Sequence, residues 1–303
     1  MNDSPSAQPL SEYALLALLA LLWGSSYLFI KIAVAEIPPI SLIAIRVTIA
    51  ATFLLAVMQW RGEQLPRGTR TWGQLLVQSF LNGIGAWTVL AWGQQYVDSA
   101  LASVLNSTSP IFVFLFTFLF TRHETTSWLK LFGAFLGLLG VILIVGVDAL
   151  AGLGQQVAGE LAAIAGAIMY ACAAIYGKRF TDLSATAIAT GTMIWAVIVL
   201  VPLSLALEKP WTLSPSWEAS GAAVILALFC TGFALLLYFR LLKTLGSLGV
   251  ASQAYLRAGV GVLLGMVFLG EHITPVMAIG LLTAILGVAA INMPSRQRHK
   301  QAS

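Results

Sequence analysis

Ten apolar runs, each long enough to cross a bilayer, follow one another along this chain: 12–34, 40–60, 72–94, 100–121, 128–148, 158–178, 184–206, 217–240, 248–269 and 274–293. A helix covers the hydrocarbon core with about 20 residues at 1.5 Å each. Barrel strands are shorter and alternate polar with apolar residues, and these runs do not alternate. The expected fold class is an all-α membrane protein of ten transmembrane helices. The dividers are short and hold most of the proline and charge, among them Pro38-Pro39, Arg61 to Arg70, Arg122 to Thr126, Asp148 to Gln156 and Glu208 to Pro215. Composition agrees: 59% of the 303 residues are apolar and 9% charged, against about 45–50% and 25% in soluble chains. That balance excludes an ordinary soluble enzyme, a disordered chain and a basic nucleic-acid binder. The lipid bilayer is the expected surrounding, and no nucleic-acid partner is expected.

Charge placement sets an orientation. With ten spans, both termini and every even-to-odd loop share one side. Of the sixteen Lys and Arg residues, twelve fall there: Arg61, Arg67, Arg70, Arg122, Lys130, Lys178, Arg179, Arg240, Lys243, Arg296, Arg298 and Lys300. Lys31 and Lys209 fall on the other side, and Arg46 and Arg257 inside spans. By the positive-inside rule both termini are expected in the cytoplasm. Trp60, Trp72, Trp128, Trp211 and Trp217 stand at expected span ends, as an interfacial belt requires. The first eleven residues lack the positive region of a secretory signal, so the run ending near Ala33-Val34-Ala35 reads as a retained helix. Cys172 and Cys230 lie inside apolar runs and read as structural thiols.

The two halves match at one fixed offset. A shift of 147 carries Lys31 onto Lys178, Gly85 onto Gly232, Leu101 onto Leu248, Glu124 onto Glu271, Gly133 onto Gly280 and Gly140-Val141 onto Gly287-Val288. Trp23 meets Tyr170 and Asn106 meets Gln253 as conservative pairs. The expected organisation is one five-helix repeat in 1–150 and a second in 151–303. Five is odd, so the second repeat must enter the membrane from the opposite side. Inverted repeats place a binding site near the midplane, between the halves.

The second half of each repeat reads as small residues, an apolar run, Glu, then Gly-x6-Gly-Val. The first copy is Ala100-Leu101-Ala102-Ser103, Pro110-Ile111-Phe112, Glu124, Gly133 and Gly140-Val141. Its partner is Val250-Ala251-Ser252, Glu271, Gly280 and Gly287-Val288. Trp23-Gly24-Ser25-Ser26 opens the first span, and Arg46 follows Pro39 in the second. Over about residues 12 to 293 this resembles the EamA-type members of the drug/metabolite transporter superfamily. The resemblance implies ten spans in two inverted repeats, and export or exchange of small metabolites, often amino acids, across a bacterial inner membrane by alternating access. It also implies a central cavity among spans 3, 4, 8 and 9. The chain departs from the family pattern where the match to Pro110 is Arg257.

Arg257 is the residue of most interest. An Arg at mid-span costs about 2.5–3.5 kcal/mol, so it is expected to face a cavity or a partner. No acid is expected at its depth. It either receives a substrate carboxylate or bonds carbonyls freed at Pro110. Arg46 is expected to pack or gate. Asn106, Gln253, Asn82 and Ser107 are polar groups expected to line the cavity; the alternative role is helix-to-helix hydrogen bonding for Asn106 and Gln253, and for Ser107 the satisfaction of carbonyls freed beside Pro110. Trp23, Tyr170 and Tyr255, with Trp92 and Tyr238, are candidate aromatic walls, with ordinary packing the expected role of most of them. Gly133-x3-Gly137 and Gly261-x3-Gly265 permit close helix approach, and Gly261 and Gly265 also allow bending. Glu124 and Glu271, beside His123 and His272, read as interfacial caps.

The sequence has no H-E-x-x-H, G-x-S-x-G, P-loop or Cys-x2-Cys, so no metal or cofactor is expected. The leading expectation is a carrier of small metabolites, most of all amino acids. A carrier of apolar drugs or lipids and a membrane-embedded enzyme are the alternatives. Oligomeric state leaves no signal in the residues.

Overall fold

The computed structural model describes residues 10–93, 96, 104–120, 127–150, 153–257, 259–260, 264 and 274–293. Among them there is no strand. Seven helices are long and apolar enough to span a membrane: Leu10–Val34, Pro39–Trp60, Trp128–Val145, Val157–Gly177, Ala185–Leu207, Trp217–Thr244 and Pro275–Asn292. A shorter apolar helix covers Val104–Phe120.

In chain order the helices are α1 (Leu10–Val34), α2 (Pro39–Trp60), α3 (Thr69–Ser79), α4 (Gly85–Gly93), α5 (Ser109–Phe120), α6 (Trp128–Val145) and α7 (Val157–Gly177). They continue with α8 (Ala185–Leu207), α9 (Trp217–Ala227), α10 (Ala234–Thr244), α11 (Gly246–Ala251) and α12 (Pro275–Asn292). Their starts follow local chemistry. The side-chain oxygens of Ser127, Ser184, Ser216 and Thr274 accept the backbone N–H three residues on, at the heads of α6, α8, α9 and α12. Pro39 opens α2, where its missing N–H costs nothing.

Elements of one half pack antiparallel on elements of the other. Gly133 of α6 lies against Gly287 of α12, and Gly140 against Gly280. A Cβ on Gly133 would come within 2.8 Å of the Gly287 carbonyl, and one on Gly280 within 2.9 Å of the Gly140 carbonyl. Backbone therefore meets backbone, which supplies the close packing that lipid does not drive. In the same manner α2 lies along α8. At one end the Glu208 carboxylate accepts the N–H groups of Ile40 (3.1 Å) and Ser41 (2.6 Å). At the other end Arg61 donates to Thr186 (3.3 Å), and the Ser184 hydroxyl donates to Glu63.

The α1 helix lies against α9 and α10. Arg240 (2.7 Å) and Thr244 (2.8 Å) donate to Glu12 near the start of α1. Beyond its end, Glu36 accepts the N–H (2.6 Å) and hydroxyl (2.7 Å) of Ser216. Those two bonds, the backbone one first, hold the Glu36 carboxyl below the ordinary carboxylate range. The fourth pairing sets α3 and α4 against α7, with Gln78 donating to the Ala173 carbonyl (3.2 Å) and Gly93 beside Gly159.

Trp60, Trp128, Trp211 and Trp217 are exposed at helix ends. Trp72 differs from its expected place in the belt: its indole N–H donates to the Pro66 carbonyl (2.8 Å) and its ring packs edge-on against Trp195.

Candidate functional site

Four segments leave α-helical geometry near mid-depth. Phe80–Ile84, between α3 and α4, is one π-helical turn. Leu228–Phe233, between α9 and α10, is another. The two lie close to one 147-residue shift of each other. Helical continuity is interrupted at Ser107-Thr108, where a short helical turn at 104–106 gives way to α5, and at Ser252, between α11 and the helical residues 253–257. The exposed carbonyls find local donors. Thr108 Oγ1 donates to Leu105 (2.6 Å) and Ser252 Oγ to Gly249 (2.6 Å). Pro110 sits in the first turn of α5, where no intrahelical N–H is missed. Irregular backbone at this depth is tolerated where it lines a cavity or is buried in protein.

A cavity of about 340 Å³ lies among these breaks. On α1 and α2 the lining takes the halves nearest their connection: Trp23, Ser26, Ile30 and Val34, then Pro39, Leu42, Ile43 and Arg46. Asn82, from the first π turn, joins Trp87 and Leu90 of α4. Asn106 and Ser109 come from either side of the 107–108 break, and Ala251, Gln253 and Arg257 surround the break at Ser252. Tyr170 and Ala174 of α7, Leu226 of α9 and Tyr238 of α10 complete the wall. The cavity therefore draws on the first, second and sixth apolar runs as well as the four the resemblance implies.

Six of the eight expected binding residues meet here: Trp23, Asn82, Asn106, Tyr170, Gln253 and Arg257. Two lie elsewhere. Tyr255 is fully buried, its ring packed into the space left by Gly137 and its hydroxyl donating to the Ala134 carbonyl at 2.8 Å. Gly137 thus seats an aromatic ring. Ser107 is buried in the break beside the cavity and is absent from its wall. Trp92 is exposed and rests on Tyr96. Gly261, Gly265, His123, Glu124, Glu271 and His272 lie outside the described residues.

The polar groups of the wall are incompletely satisfied. Asn106 Oδ1 and Gln253 Oε1 are buried and accept no hydrogen bond among the described residues. Each such acceptor costs about 1–3 kcal/mol. Arg257 makes no hydrogen bond or ion pair among the described residues, so it does not take up backbone carbonyls near Pro110. Arg46, expected only to pack or gate, also faces the cavity. Its Nε donates to Thr231 Oγ1 at 2.5 Å, and its guanidinium lies 4.3 Å from the Trp87 ring centroid. The Thr231 hydroxyl, in the second π turn, donates in turn to the Leu226 carbonyl at the end of α9 (2.9 Å). Trp23 and Tyr238 pack with ring centroids 5.5 Å apart. No Asp or Glu stands among the described lining residues, and no group of metal-ligating side chains forms among the described residues.

The EamA-like transporter family matches residues 10–146 and again residues 157–293, so the two matched segments begin and end 147 residues apart. The Uncharacterized inner membrane transporter YedA of Escherichia coli K12 is 29% identical over 94% of this chain and 92% of its own. An Uncharacterized transporter of Archaeoglobus fulgidus is 30% identical over 95% of this chain and 98% of its own. A Probable terminal-alkyne amino-acid exporter of Streptantibioticus cattleyicolor is 25% identical over 95% of each chain. A solved structure described only as "Crystal structure of protein" superposes with a TM-score of 0.77 at 21% identity, over 93% of this chain and 96% of that one.

Proposed function

From the premise that the chain belongs to the EamA-like transporter family, and so is a membrane transporter, we propose that its cavity binds amino acids and carries them across an inner membrane. One observation carries the reading: Arg257, with no ion pair among the described residues, lines one cavity with the amide side chains of Asn106 and Gln253, whose buried carbonyl oxygens accept no hydrogen bond there. A guanidinium binds a carboxylate with two parallel bonds. Amide oxygens accept from an ammonium group. Trp23, Trp87, Tyr170 and Tyr238 supply aromatic faces for the rest of the solute. The amino-acid exporter among the relatives supports the same substrate class.

The antiparallel pairing of α6 with α12, and of α2 with α8, supports two inverted repeats, 1–150 and 151–303, related by an axis in the membrane plane. On that reading the spans number ten and both termini are cytoplasmic. The cavity then reaches the outer face at Val34 and Pro39. On the same reading, alternating access rocks the two halves about this cavity.

The test is uptake of labelled amino acids into liposomes carrying the purified protein. Saturable uptake of several amino acids is expected, competed by unlabelled amino acids and unaffected by amines that lack the carboxyl group. Uptake no higher than in empty liposomes for every amino acid tested would sink the reading and leave apolar solutes as the leading class.

A further inference from the structure

The charge of the cavity goes further than recognition of one carboxylate. Two arginines, Arg46 and Arg257, line it, and the described wall holds no acid to balance either. A purely structural buried arginine has its fork filled by acceptors. Arg46 uses one donor, Nε, on Thr231, and its face on Trp87. Its four Nη hydrogens have no partner among the described residues. The Thr231 hydroxyl is fixed in turn by the Leu226 carbonyl, so the second π turn sets the direction of the guanidinium. Such π turns are frequent at functional sites.

A neutral zwitterion would satisfy Arg257 and leave Arg46 unneutralised in a largely apolar enclosure. We propose that the cavity selects small solutes bearing two carboxylates, an acidic amino acid above all, with Arg46 reading the second carboxylate and Thr231 positioning it. The proposal rests on the amino-acid reading above for the ammonium, and on the two arginines alone for the charge.

Two pairs of near-isosteric probes separate these parts: glutamate against glutamine, and succinate against succinamide. Each is titrated at constant ionic strength against the purified full chain in detergent, following the shift in unfolding temperature. Glutamate is expected to half-saturate at a concentration at least tenfold below glutamine, and succinate at least tenfold below succinamide. Arg46→Gln should bring the glutamate-to-glutamine ratio close to one. Arg46→Lys should keep part of it, since it holds the charge without the fork. Thr231→Val should lower it while the arginine remains, which supplies a reading if Arg46→Gln fails to fold. Glutamine binding as well as glutamate, or a ratio that survives Arg46→Gln, would overturn the proposal. Succinate preferred with neither amino acid bound would uphold it and refute the amino-acid reading. No stabilisation by any of the four would overturn both.

Discussion

Valine in place of Gly140 is expected to leave little monodisperse protein after detergent extraction. Any material recovered should unfold at least about 5 °C below the parent. The reason is local. A Cβ at Gly140 meets the Ala284 backbone nitrogen and comes within 2.7 Å of the Gly280 carbonyl, so nothing flexible stands in its way to move. Overpacking costs about 1–3 kcal/mol where side chains can yield. Here α6 and α12 must part along their whole contact, and about 3 kcal/mol corresponds to roughly 5 °C in a chain of this size. Gly287→Val should behave alike, because its Cβ would lie 2.5 Å from the Gly137 nitrogen and 2.7 Å from the Gly133 carbonyl. Gly73 and Gly221 are the controls. Both are helical with nothing within 4 Å of a built Cβ. Alanine there should be neutral or stabilising by about 0.5–1 kcal/mol. Size-exclusion profiles and thermal unfolding of the four variants check the contrast, and a well-folded Gly140→Val would refute the packing assigned to these helices.

The second large effect has two signs. Asn106→Leu and Gln253→Met each replace a buried, unpartnered amide oxygen with an apolar group of similar size. Removing such an acceptor relieves about 1–3 kcal/mol. The double variant is therefore expected to unfold several degrees above the parent. The same change removes the acceptors assigned to the substrate ammonium, so amino-acid affinity should fall at least tenfold. Stability rising while affinity falls is the mark of groups kept for a ligand. If the amides served only to join helices, stability would fall and affinity would hold. Thermal unfolding and titration on one preparation decide between these outcomes.

Much of this arrangement can be read from the residues. The span boundaries follow from long apolar runs and from Ser, Thr and Pro at helix starts. The 147-residue offset pairs Gly133 with Gly280 and Gly140 with Gly287, and the fold sets each against the other's counterpart. Mid-depth polarity singles out Asn82, Asn106, Gln253 and Arg257, which the fold gathers around one cavity. Direction around a helix is harder to read when every face is apolar. Tyr255 lies two residues from Gln253 and points to Gly137 instead of the cavity. Ser107 lies one residue from Asn106 and turns into the break. The π turns at Phe80–Ile84 and Leu228–Phe233 carry no proline to mark them, yet they aim Asn82 and Thr231. Arg46 reads as a packing residue because sequence spacing does not reveal that Trp87 and Thr231 occupy one face and one nitrogen, leaving the rest of its fork to the cavity.

The most direct test of the central claim is amino-acid uptake by liposomes carrying the parent protein or Arg257→Ala, run side by side at equal protein content. The account predicts saturable uptake by the parent and a loss of at least tenfold in uptake at low substrate in the variant, with partial recovery in Arg257→Lys. Uptake by a folded Arg257→Ala protein equal to that of the parent would contradict it, and would return Arg257 to a structural role.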